Sequence, residues 1–152
     1  MNDRMMHEHL IIDLVDKSPR DALATLLDEI TALLQGYFPH YTGVYVYLLE
    51  GETLVLSSYR GRPTEHTRIP IGKGICGRAA RIKETVIVDD VNTDAEYIAC
   101  SLQTRSEIVV PILRGDQVLG EIDIDSDTPT AFTEQDHMFL EQVAQHLAPK
   151  FA

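Results

Sequence analysis

Apolar residues recur at helical spacing over residues 19–35, where Leu23, Leu26, Leu27, Ile30, Leu33 and Leu34 share one face. Ser18-Pro19 reads as an N-cap followed by proline at the first helical position, and Gly36 as the stop. Ahead of this helix, Leu10, Ile11, Ile12, Leu14 and Val15 form an apolar patch that fits a short helix or a strand. The period then changes. Val44, Val46 and Leu48 alternate with Tyr45, Tyr47 and Leu49, a strand pattern, with Gly51 in a turn and residues 53–59 as the hairpin partner. Residues 72–81 read as a short helix entered through glycines, and residues 85–88 as a short strand. Residues 107–113 and 118–125 form a second hairpin around Arg114-Gly115-Asp116-Gln117. Thr133 caps a last helix, with Glu134 and Asp136 in its first turn and Phe139, Leu140, Val143, Ala144 and Leu147 on its apolar face.

This order predicts an α+β fold: an antiparallel sheet of about five to six strands, with N- and C-terminal helices on one face and the middle segments on the other. No repeat or linker divides the 152 residues. One domain over 1–152 is expected, with 1–17 as an N-terminal extension or short helix and 18–152 as the core. Thirteen basic against 24 acidic side chains leave a net charge of −11, which argues against nucleic acid and anionic membrane as partners. The longest apolar run, residues 108–113, is far too short to cross a membrane. The first residues carry acids and no long apolar stretch, so a cytoplasmic location is expected. The six histidines show no metal-ligand spacing, and solvated or packing roles are expected for them.

Three features carry candidate chemistry. Gly72-Lys73-Gly74-Ile75-Cys76-Gly77 matches a dinucleotide-binding glycine pattern, but Arg68-Ile69-Pro70-Ile71 before it is no central parallel strand. The glycines are better read as a tight turn and a close backbone approach at a helix start. Along 118–125, alternation sets Ile122 and Ile124 on one face and Glu121, Asp123 and Asp125 on the other. By spacing alone such a row reads as a solvated face. Register decides whether Glu107 joins it: a two-residue loop at Gly115-Asp116 pairs Glu107 with Ile124. A three-residue loop or a bulge sets it opposite Asp125, with Val109 opposite Asp123. In that second register Glu107, Asp123 and Asp125 converge, able to bind a cation or share a raised-pKa proton. The third feature is the cysteine pair, Cys76 and Cys100, read either as small buried hydrophobes or as a nucleophile and a resolving thiol. Cys76, at a helix entrance, sits where a thiol pKa can be lowered.

Two stretches together resemble a GAF domain over roughly residues 20–149. The first is Ile69-Pro70-Ile71-Gly72-Lys73-Gly74-Ile75-Cys76-Gly77 with Val88-Asp89-Asp90-Val91. The second runs from Ser106-Glu107 through Asp123-Ile124-Asp125-Ser126 to Ala131-Phe132-Thr133-Glu134. Within that family the chain is most similar to the single-domain free methionine-R-sulfoxide reductases, through Gly74-Ile75-Cys76-Gly77, Tyr97-Ile98-Ala99-Cys100, Ser106-Glu107 and Asp123-Ile124-Asp125-Ser126. The resemblance implies a GAF-like sheet with a ligand pocket under loops. It makes Cys100 the nucleophile, Cys76 a resolving thiol, and Glu107, Asp123 and Asp125 the substrate-gripping carboxylates. It also implies a thioredoxin-type reductant in place of a bound cofactor; from the histidine spacing no metal is expected. Two positions depart from that pattern. Glu65-His66-Thr67 stands where those reductases usually carry a third cysteine, and the chain has no tryptophan for the first hairpin strand near Gly43. The alternative is a non-catalytic GAF module that binds a small molecule and acts as a homodimer through its terminal helices.

Overall fold

The computed structural model describes residues 2–99 and 101–152. The N-terminal apolar patch is a full helix, α1 (Asp3–Lys17), capped by the Asn2 side chain accepting from the Met5 amide. Ser18 ends it rather than starting the next one: the Ser18 hydroxyl donates to the Leu14 carbonyl at 2.7 Å. Pro19 pushes the residue before it out of helical backbone, and Ser18 is extended, with φ −77° and ψ 140°. A 3-10 turn over Arg20–Ala22 follows, and only then does α2 (Leu23–Tyr37) begin. The expected helix over 19–35 therefore starts later. It also passes through Gly36, because Phe38 is anchored in the core, stacked on Tyr41 at 4.8 Å.

The sheet comprises β1 (Gly43–Glu50), β2 (Thr53–Arg60), β3 (Arg68–Pro70), β4 (Val86–Val88), β5 (Ser106–Arg114) and β6 (Gln117–Ser126). Among the described residues these six strands run in the order β3-β2-β1-β6-β5-β4, every adjacent pair antiparallel. The segment 68–70 was not anticipated as a strand; it lies on the sheet edge, where a proline is tolerated. Helix α3 (Gly74–Ile82) crosses one sheet face, while α4 (Glu134–Leu147) joins α1 and α2 on the other.

Alternation in the strands separates the two faces. Val44, Val46, Ile108, Val110, Ile122 and Ile124 pack under the three helices in the main apolar core. Tyr45, Tyr47 and Val109 point the other way, against Ile75, Cys76, Ala79 and Ala80 of α3. The close seat of α3 depends on Gly77, whose added Cβ would lie 2.7 Å from the Pro70 carbonyl oxygen.

One buried acid ties the helical layer together. Asp136, at the third position of α4, completes a capping box with Thr133. It accepts from the Tyr41 hydroxyl at 2.6 Å and from Arg4 of α1 at 2.8 Å, with His40 Nε2 at 3.0 Å. Burial alone would raise its pKa, but hydrogen bonds from His40, Tyr41, the Thr133 backbone and Arg4 outweigh it and hold the group well below the usual carboxylate range.

At Gly120 of β6, a Cβ would collide with the Tyr47 carbonyl oxygen and the Leu48 backbone of β1. Gly120→Ala is therefore expected to cost at least about 2 kcal/mol in stability, measured by urea unfolding. A loss below about 0.5 kcal/mol would contradict this close strand approach.

Candidate functional site

The hairpin of β5 and β6 decides where the acids stand. Arg114 pairs with Gln117 around a two-residue turn, and Leu113 with Val118. The register then shifts, leaving Leu119 as an extra residue, so Ile112 pairs with Gly120. The tight loop and the bulge occur together, and the bulge sets the outcome: Glu107 faces Asp125, Val109 faces Asp123, and Pro111 faces Glu121. On the other side of β6, strand β1 lays Gly43, Tyr45 and Tyr47 against Asp125, Asp123 and Glu121. The acid row is thus central in the sheet.

The solvated-face reading is overturned. Glu121 is 0% exposed, Glu107 5%, Asp123 6% and Asp125 7%. Alternation put these side chains on one face, but α3 and the following loop cover it. The Tyr45 and Tyr47 hydroxyls reach past the row to donate to the carbonyls of Arg62 and His66, at 2.6 and 2.8 Å, fixing the segment that forms one wall.

Cys76 comes down from α3 onto this row. Its sulfur and one oxygen each from Glu107 and Asp123 lie within 4.8 Å of one another. The expectation of a lowered thiol pKa fails here. Burial, and then the negative fields of Asp123, Glu121 and Glu107, push the Cys76 thiol well above its ordinary value. A helix start of this kind is no match for three carboxylates in a dry site.

The acids are shifted the same way. Burial raises Glu121 well above the carboxylate range, reinforced by Asp123, with the nearby Cys76 thiol pulling back. Burial raises Asp123, against hydrogen bonding with Glu107 and Cys76. Asp125 is raised by burial and by Asp123, against Glu107 and Arg62. Glu121 and Asp123 form no ion pair among the described residues.

A hollow of about 30 Å³ adjoins the cluster, lined by Tyr47, Glu107 and Asp123 from the sheet, Cys76 from α3, and His66, Tyr97 and Ile98 from the loops. It has room for a water or an ion. Arg78 of α3 pins the loop after β4 by pairing with Asp94 at 2.8 Å and Glu96 at 3.0 Å. A larger groove of about 340 Å³ lies between residues 83–85 and α4, and no thiol lines it among the described residues.

Of the expected site residues, Cys76, Glu107, Asp123 and Asp125 are brought together. Cys100 lies outside the described residues. Glu121 was placed in the row by alternation but not counted among the converging acids; its two-residue spacing from Asp123 was the available signal. His66, expected to be merely solvated or packing, lines the hollow. Nothing in its local pattern marks it.

A buried polar cluster under loops on one face of an antiparallel sheet, with a helical layer on the other face, defines the class of domain. The sequence pattern of the GAF domain matches residues 16–149, and the chain belongs to that family. It is 37% identical over 125 residues to the free methionine-R-sulfoxide reductase of Escherichia coli (strain K12), spanning 82% of this chain and 74% of that protein. It is 44% identical over 108 residues to the protein of the same name from Saccharomyces cerevisiae, spanning 70% of this chain and 59% of that one. Among solved structures, free methionine-R-sulfoxide reductase from Neisseria meningitidis, in complex with its substrate, superposes with a TM-score of 0.87 at 34% identity. That match covers 95% of this chain and 85% of the other. No helix among the described residues is long and apolar enough to cross a membrane.

The raised acids make stability fall with pH. Protonated in the fold, they contribute fully below the unfolded carboxylate pKa of about 4, and that contribution is lost as pH climbs through their raised folded values. Glu121→Gln mimics the protonated form. It is expected to raise the melting temperature by about 2–4 °C at pH 8 while changing it little at pH 4, read by thermal scans at both pH values. An equal shift at both would rule out this titration.

Proposed function

We propose that this chain reduces free methionine-R-sulfoxide to methionine by thiol chemistry in the hollow above β5 and β6. The observation that carries the reading is the buried row of Glu107, Asp123 and Asp125 with a thiol against it. Ionised members of such a row suit the ammonium group of a free amino acid, and a protonated member can supply a proton to the sulfoxide oxygen. The reductases of Escherichia coli and yeast at 37% and 44% identity support the same reading.

In this scheme Cys100 is the nucleophile. Its thiolate attacks the sulfoxide sulfur while a carboxylic acid of the row protonates the oxygen. The sulfur–sulfur bond so formed breaks as the protonated oxygen moves from the substrate sulfur to the Cys100 sulfur, methionine leaves with two more electrons, and Cys100 is left as a sulfenic acid. Cys76 then displaces that oxygen as water and closes a disulfide. A thioredoxin-type dithiol returns two electrons and two protons, a cycle suited to a reducing cytoplasm. The cycle uses no bound cofactor. The hollow of about 30 Å³ is far below the several hundred Å³ of ordinary ligand sites, so substrate entry requires the adjoining loop to yield. A homodimer through the terminal helices, the assembly expected of the non-catalytic alternative, is compatible with this reading too and is supported by Met5, Met6 and Leu10, each 43–48% exposed along α1.

Incubation of the reduced protein with free methionine-R-sulfoxide and dithiothreitol or a thioredoxin system is expected to release methionine, and Cys100→Ser to abolish release. Cys76→Ser should complete one turnover and accumulate a trappable sulfenic acid. Absence of turnover above the Cys100→Ser background would leave a binding module only. Arg78→Ala frees the loop that leads to Cys100, and a fall in kcat/KM of about tenfold is expected, most of it in KM. Unchanged kinetics would show that the Arg78 pairings play no part in positioning that loop.

A further inference from the structure

We infer that Cys76, Glu107 and Asp123 also form a binding site for one thiophilic divalent cation of the zinc class. The three residues are buried, and one donor atom from each lies within 4.8 Å of the others. Tetrahedral zinc, with ligand distances of about 2.0–2.3 Å, holds its donors about 3.3–3.8 Å apart, so a contraction of about 1 Å brings these three into place and leaves the fourth position to water. One sulfur and two carboxylate oxygens favour zinc over calcium or magnesium, which require more oxygen ligands.

A second observation points to an occupant. Asp123 Oδ1, on a side chain only 6% exposed, is buried without a hydrogen-bond partner among the described residues. Unsatisfied buried oxygens of this kind are rare and costly. The adjoining space of about 30 Å³ suits a single ion better than an amino acid.

Three separate elements present the donors: α3 the thiol, β5 Glu107 and β6 Asp123. On binding, the sulfur–hydrogen bond of Cys76 is replaced by a sulfur–metal bond, and the proton leaves to solvent. No electron is transferred. The site rests on this geometry and holds whether or not the chain reduces a sulfoxide. Where it does, cation and substrate compete for Glu107 and Asp123, so the metal would lock the reduced protein in an unreactive form.

The decisive experiment uses the reduced, metal-free Cys100→Ser protein, in which Cys76 is the remaining one of the chain's two cysteines. This variant lacks the proposed nucleophile, so the result is independent of the reductase reading. Titration with Co²⁺ is expected to give a thiolate-to-cobalt absorption band saturating at one equivalent and discharged by Zn²⁺. Glu107→Gln and Asp123→Asn, in the same background, should each weaken binding by at least about tenfold. Circular dichroism checks the fold, and either folded donor variant suffices for the comparison. Absence of the band at large excess of Co²⁺ overturns the inference. So does a band of undiminished affinity in a folded donor variant, which would put the metal elsewhere on the thiol.

Discussion

The register of the β5–β6 hairpin is the constraint on which the site depends. Side chains alternate across a sheet with a period of two, so pairing Leu119 into the ladder instead of leaving it extra would set Glu107 opposite Ile124, on the face away from Asp123 and Asp125. The bulge thus does more than bend a strand. It determines which side of the molecule holds Glu107, the one carboxylate of β5, and Gly120 beside it lets β1 close against the bulged strand.

With that register set, the sheet divides its work between its faces. One face is apolar and covered by α1, α2 and α4, where valines and isoleucines bury against leucines with no polar cost. The other carries four buried acids, an arrangement that opposes folding unless protons or a ligand cation neutralise it. Asp136 offers an instructive contrast within the same chain. It is also fully buried, yet surrounded by Arg4, His40, Tyr41 and a helix start, and it stays ionised as a structural tie between α1 and α4. Two fates for buried carboxylates follow from their neighbours alone.

Much of this was legible in local patterns. The alternation of Val44 and Val46 with Tyr45 and Tyr47 predicted β1 and its two faces, and Glu121, Asp123 and Asp125 were correctly set on one side of β6. What escaped was non-local. Strand spacing tells which residues share a face but not what covers it, so burial of the acids beneath α3 was invisible. Register remained open because a tight loop and a bulge act in opposite directions, and the structure contains both. Ser18-Pro19 has the same local signature whether it starts one helix or separates two. The environment of Cys76 was misread because helix position is local, whereas the carboxylates that dominate its field come from strands thirty and more residues away.

The smothered state of Cys76 has a further consequence. Thiols are attacked by peroxides and electrophiles mainly as thiolates, and one held protonated beneath a helix is a poor target for reagents diffusing in from outside. Such a sulfur survives oxidative conditions that would spoil an activated surface cysteine. The protection comes from seclusion beneath α3 and not from any change in the sulfur itself.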